Sequence, residues 1–401
     1  MREHAHRGLL LALALATGMG GAVEAGGDDA SLVVHEWGTF TSVAGADGLP
    51  VAWRPLGGES DLPRFVHEVV RETQARAWPA SRRPPGTKAQ MKALVRMETP
   101  VVYFYSDRPL TASVSVTFPE GWITEWYPKA RSVGAGIAWG PVDVRPGAAD
   151  ALPVDAEPSP YYEARETDAA PLRVAGATGP EHEKFLFYRG VGNLEPPLFV
   201  RLEARRLVVR RPARGIAQVI VFESREGKVG FGVHRLERAQ TIVPRPPLDA
   251  TVGAASSALQ DLLLAQGLYP REAEAMLDTW RASWFEDGLR AFYIVPRALT
   301  DAVLPLSLSP RPAQLVRVLV ARTEIVTPEM EEAFRREIAT LGAAAEDVHA
   351  AAAALVRDRG RFAEPILRRL RARSKDEALQ HRIDALIAAM ESAPPGPVAS
   401  R

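Results

Sequence analysis

Hydrophobic and polar positions change period several times along this chain. Residues 31 to 43 (SLVVHEWGTFTSV) alternate as a strand does, so every second side chain shares a face. A turn at Ala46-Asp47-Gly48 follows, and LPVAWRPL reads as the return strand of a hairpin. Ser60 or Asp61 then caps an expected helix with Pro63 in its first turn and Phe65, Val66, Val69 and Val70 at helical spacing. Residues 79 to 87, PASRRPPGT, form a loop by composition.

From Pro100 the period is two. VVYFYS, TASVSVTF and ITEWYP are expected as strands, and residues 140 to 181, rich in Pro, Ala, Gly and acids, as a long surface loop. Strands resume with KFLFYRG, LFVRLEA and RLVVRR. IAQVIVFES and KVGFGVHRL, joined at Arg225-Glu226-Gly227, make the best hairpin in the sequence. Two helices are expected at about 253 to 266 and 271 to 286, then strands at 289 to 295 and 314 to 326 around the proline-broken LPLSLSP. Thr327-Pro328-Glu329 is a strong helix start, and the chain stays helical from there to about Met390, with breaks at Gly342 and Gly360. These periods predict an α+β protein: a mostly antiparallel, sandwich-like β-rich domain over 26–243, a mixed segment over 244–326, and a helical region over 327–392 before a disordered 393–401 tail.

Composition changes this picture mainly at the N-terminus. Arg2 and Arg7 precede a short apolar run, LLLALALATGMGGA, and Val23-Glu24-Ala25 places small residues where a signal peptidase reads. Residues 1–25 are therefore expected to be a cleaved signal peptide, cut after Ala25, giving a periplasmic or secreted protein with no further membrane span. There is no cysteine, which removes disulfides, a thiol nucleophile and thiolate zinc ligands. Lys plus Arg and Asp plus Glu both number 49, so no basic excess points to a nucleic-acid partner.

Familiar catalytic grammar is missing. His67-Glu68-Val69-Val70-Arg71 starts like a zinc-protease helix but lacks the second histidine. No GxSxG elbow, SxxK pair, Walker loop or dinucleotide fingerprint occurs. The candidates are scattered. On a strand, His35 shares a face with Trp37 and Thr39, and Glu36 shares the other with Gly38 and Phe40, so the two cannot form one site without a bulge. His35, His182 and His234 are the imidazoles available to a metal ion, from three distant segments; no other cofactor is expected. Trp37, Trp122 and Trp126 are candidates for stacking on a ligand, although tryptophan at strand spacing more often packs in a core. Glu286 and Asp287, beside Trp280 and Trp284, are the carboxylates a hydrolase would add to His35 or Glu36. His67, His349 and His381 read as helix residues among charges, and RFAEPILRRLRAR as an amphipathic helix.

HEWGTFTSVAG, VVYFYS, FPEGWITEWYP, KFLFYRGVG, WRASWFEDGLRAFYIVPR and VRVLVARTEIVTP together resemble a group of exported bacterial proteins sharing the opening HEWGTFT motif. The resemblance extends to about residue 330. It implies that these blocks belong to one fold and carries over no catalytic residues. The expectation is an exported protein that binds an envelope ligand or partner through its β-rich part. The alternative is an exported hydrolase of polysaccharide or peptide, with or without a metal. N-terminal sequencing of the exported protein should begin at Gly26; retention of Met1 would remove the export reading.

Overall fold

The computed structural model describes residues 28–57, 60–69, 88–212, 215–340 and 345–392. The expected signal peptide, the 79–87 loop, Val70 and the 393–401 tail lie outside the described residues. The fold is α+β, with three largely antiparallel sheets and helices concentrated toward the C-terminus. The largest sheet runs β15 (Lys228–Arg235), β14 (Gln218–Arg225), β17 (Gly288–Ile294), β19 (Arg311–Ile325), β1 (Asp28–Ala44), β3 (Val95–Met97), β11 (Leu186–Gly192), β6 (Gly121–Tyr127) and β2 (His67–Glu68). β4 (Val101–Tyr105) pairs with both β1 and β11. Among the described strands, β1 with β19 is the one parallel pair, and it sits at the centre of the sheet.

Strand alternation gives this sheet two dry faces. One meets a second sheet built on β5 (Leu110–Thr117), β7 (Ser132–Val133), β8 (Gly136–Val144) and β9 (Leu172–Ala175), and a third made of β12 (Phe199–Glu203), β13 (Arg206–Arg210) and β16 (Gln240–Pro244). Val34, Phe40, Val102, Phe104, Leu319 and Ala321 pack there against Val114, Val116, Trp139 and Val142. This is the expected sandwich. The opposite face, with Trp37, Tyr103, Phe187, Phe292, Val318 and Val320, is covered by α1 (Val252–Leu264) and α2 (Pro270–Trp284). Trp280 and Trp284, one turn apart on α2, are both buried against it. Farther along the same face, Val43 and Val326 join Phe334, Ile338, Ile366, Leu367, Ile383 and Leu386 of the C-terminal helices. These are α4 (Pro328–Thr340), α5 (Ala345–Arg359), α6 (Ala363–Arg373) and α7 (Glu377–Ser392). A shorter α3 (Arg297–Val303) and β18 (Leu306–Ser309) fill the segment around LPLSLSP.

Several local expectations are corrected. Residues 61–69 form turns and the two-residue strand β2, not a helix, because Val69 N–H reaches Thr124 O at 2.9 Å and the segment extends the sheet edge beside β6. His67 is therefore on a strand, where it stacks on Trp126 and meets Glu181 at 3.0 Å. The return strand at 49–56 shrinks to single bridges, Ala44 to Pro50 and Trp53 to Ala93. Residues 140–181 are not a surface loop. They complete β8, form β9 and a short 3-10 helix (Pro160–Arg165), and bury Tyr161 among Phe65, Phe185 and Phe187. Arg165 and Tyr161 both bond to Glu183 beneath that turn. Burial pushes the Glu183 carboxyl up, against the pull of Arg165.

The central parallel pair is held in register by charge. Glu36 and Arg317 are partners across β1 and β19, and Arg317 Nε donates to Glu36 Oε2 at 2.5 Å. Tyr188 Oη donates to the other oxygen at 2.6 Å, while Arg317 also reaches Asp301 and the Leu304 carbonyl. Removing one partner leaves the other charged and dry. Arg317→Ala should therefore lower unfolding free energy by roughly 3–5 kcal/mol in urea titrations. A loss of under about 1 kcal/mol, the size of a surface pair, would show that the pair does not lock the register.

Candidate functional site

β1 sends His35, Trp37, Thr39 and Thr41 to the helix-covered face, and each of the four has a buried side-chain nitrogen or oxygen without a hydrogen-bond partner. Glu36 goes to the sandwich side, as alternation requires, and its carboxylate is consumed by Arg317 and Tyr188. His35 and Glu36 thus serve separate layers.

At one end of this row is a closed dyad. His35 Nδ1 lies 2.7 Å from Glu272 Oε2, with both side chains fully buried. Tyr105 Oη donates to Glu272 Oε1 at 2.8 Å, and the Tyr269 backbone N–H donates to Oε2 at 2.8 Å. Glu272 lies in the first turn of α2, after Pro270, where the helix dipole favours a carboxylate. A carboxylate on Nδ1 fixes the imidazole's orientation and leaves Nε2 facing away, the arrangement a general base needs. Here Nε2 is buried and unpartnered, and the Tyr269 ring lies over the imidazole at 4.5 Å between centroids. The dyad is sealed.

At the other end the two helical covers meet over charge. Thr41 is flanked by Arg322 on β19 and Arg96 on β3, its partners in both ladders, so all three side chains share one face. Glu98 Oε1 lies 3.8 Å from Arg322 Nη2 and 3.9 Å from Arg96 Nε, beyond direct hydrogen-bond reach of either. Arg322 Nη1 meets the Ser283 carbonyl and hydroxyl of α2 at 3.1 Å. Its Nε is 3.0 Å from Glu324 Oε1 but out of line for a hydrogen bond. Glu324 is fully buried and also takes Arg290 and Arg361, the latter from the C-terminal helical region. Arg189 closes the far side through a paired contact with Asp61.

The remaining candidates lie elsewhere. Glu286 pairs with Arg361, and Asp287 accepts from Ser224 Oγ at 2.7 Å. They follow the C-terminal end of α2, a helix length of about 20 Å from Glu272, so they do not approach His35. His182 is on β10 (Pro180–Glu183) of the second sheet, 3.4 Å from Asp150. His234 is on the edge strand β15, folded over Gly232, and burial lowers its pKa. His35, His182 and His234 are thus not brought together, and among the described residues no three His, Asp or Glu side chains converge as a metal would require. Trp37 and Trp126 are core residues, and Trp122 is half-buried beside Val191 and Leu56. Trp37 Nε1 is directed toward the Tyr103 hydroxyl without reaching hydrogen-bond geometry. Sequence reasoning missed Glu272, Arg96, Glu98 and Arg322. Only Glu272 carried a local signal, its place after a proline in a helix's first turn.

Around the arginine row, carboxylates titrate low. Burial alone would raise Glu98, but Arg322, Arg96, Arg361 and Arg189 outweigh it and hold the carboxyl below its ordinary value. Burial opposes Asp61 and Glu125 in the same way; Arg189 for the first, and Lys88 followed by Arg189 for the second, hold them low. Depressed native values mean stability that is present above the unfolded-state pKa, near about 4, and lost as pH falls through the native values. Acid melting curves should show Tm falling below about pH 4, with a smaller fall for Glu98→Gln; an equal fall in both proteins would take Glu98 out of the linkage. Comparison with protein-family models and with curated proteins gives no match to this chain.

Proposed function

We propose that this is an exported protein that binds a polar ligand in the seam over Thr39 and Thr41, and that it does so without catalysis. The observation that carries this reading is the set of unpartnered polar atoms there, Thr39 Oγ1, Thr41 Oγ1 and Arg96 Nε; Arg322 Nε beside them has Glu324 Oε1 at 3.0 Å. Each buried polar group left unsatisfied costs about 1–3 kcal/mol, so three together cost roughly 3–9 kcal/mol. That rivals the entire net stability of an ordinary domain, about 5–15 kcal/mol. Such groups are retained when something polar satisfies them. The seam is also where two covers meet on one sheet, a common place for ligand sites. By contrast, the cavity on the sandwich side, lined by Phe40, Leu194, Tyr293 and Val303, has room for no more than a single water.

The hydrolase reading keeps one supporting observation, the His35–Glu272 dyad with a free Nε2. It needs Tyr269, which is 40% exposed, to swing off the imidazole before substrate arrives. The carboxylates 286 and 287 contribute nothing to it, since both are tied to other partners. The export reading rests on the charged and apolar pattern of residues 1–25.

Native mass spectrometry of wild-type protein released from the periplasm should show a retained small molecule, lost in the near-isosteric Thr41→Val variant. Turnover in a hydrolase panel that Tyr269→Ala raises and His35→Gln abolishes would overturn the binding reading in favour of catalysis.

A further inference from the structure

The unpartnered atoms of the seam are not a random sample of polar chemistry. Arg96 Nε can only donate, and the two threonine hydroxyls donate as readily as they accept. No carboxylate oxygen appears among the buried unpartnered atoms of the described residues. A surplus of donors calls for an acceptor-rich guest. Water satisfies donors and acceptors alike, whereas an oxyanion presents acceptors alone and gains most from guanidinium partners.

The local charges agree. Arg189 has Asp61, and Arg361 has Glu286 and Glu324. Arg322 shares Glu324 with Arg290 and Arg361, and Arg96 has Glu98 at 3.9 Å. Among the described residues, Glu98 is the carboxylate that faces both Arg96 and Arg322, and it contacts each too loosely for a hydrogen bond. It behaves as an internal counterion that leaves Arg96 Nε unfilled, while Arg322 Nε is held at 3.0 Å from Glu324 Oε1. The Arg96 side chain is 24% exposed although its Nε is buried, so the row opens to solvent at that end.

Resting on the ligand-binding reading above, we infer that the seam is an oxyanion site. A carboxylate or phosphate, free or carried on a larger molecule, sits between Arg96 and Arg322 above Thr41 and Thr39, in competition with Glu98.

Isothermal titration of the full mature chain with inorganic phosphate and with acetate, against chloride at matched ionic strength, tests this. Saturable binding of phosphate or acetate is expected, and the preferred ion separates a phosphoryl headgroup from a carboxyl one. Arg96→Gln should weaken it about tenfold or more, the loss of one charge-assisted contact. Glu98→Gln should tighten it severalfold by removing the competing charge. Thr41→Val serves as the second weakening variant if Arg96→Gln does not fold. Binding seen first in Glu98→Gln and lost on adding Arg96→Gln would support the same site. Absence of saturable binding in both wild type and Glu98→Gln, or binding indifferent to Arg96 and Thr41, overturns the inference. If native mass spectrometry then still finds a neutral molecule whose retention depends on Thr41, the ligand-binding reading stands and the oxyanion assignment alone falls. If it finds none, both fall.

Discussion

The fold depends on one contact, the parallel pairing of β1 with β19. It joins residues 281 positions apart, as between Glu36 and Arg317, and closing a loop of that length costs about 5 kcal/mol in chain entropy beyond the fixed closure term. The repayment is spread along the two strands: an apolar row on each face and one buried ion pair in register. Side-chain period is two, so a one-residue slip of β1 would put Glu36 under the helices and His35 in the sandwich core, and a slip of β19 would do the same to Arg317 and Arg322. No such slip is tolerable with charges on both faces. The pairing therefore sets which residues can meet, and the polar seam is a by-product of its register.

α2 shows how the covering layer is fixed to that frame. Its first turn supplies Glu272 to His35 of β1, and its last turn is capped by Arg290 of β17, which donates to the carbonyls of Trp284, Glu286 and Asp287. An anion of the helix's own first turn sits at the positive end and reaches down to the sheet, and a cation from the sheet reaches up to the negative end. Apolar packing of Trp280 and Trp284 supplies the burial; the end charges supply position.

What was legible in the sequence was what local chemistry decides. The β14–β15 hairpin needs two left-handed turn residues, and Glu226 (φ 52°) and Gly227 (φ 75°) provide them where the turn was expected. The start of α4 at Pro328 and the opposite facing of His35 and Glu36 followed from equally local rules. The 61–69 segment had helical spacing too, but it was short, and a free edge beside β6 outweighed its propensity. Residues 140–181 were read by composition, which could not register that Tyr161, Arg165 and Leu172 have partners beneath them. The candidate site was hidden for a deeper reason. Arg96, Glu98 and Arg322 look like surface charges in a one-dimensional reading, and only the ladder that sets Thr41 between two arginines makes them a group.

The position of Glu324 gives the two covers a common hinge-pin. It receives Arg290 and Arg322 from the sheet and Arg361 from the helical C-terminal region, while Arg322 holds Ser283 on α2. Tilting either cover redistributes a single negative charge among three cations. The electric potential over Thr41 and the spacing of the two covers are then not separate properties of this molecule, and a ligand that changes one does work on the other.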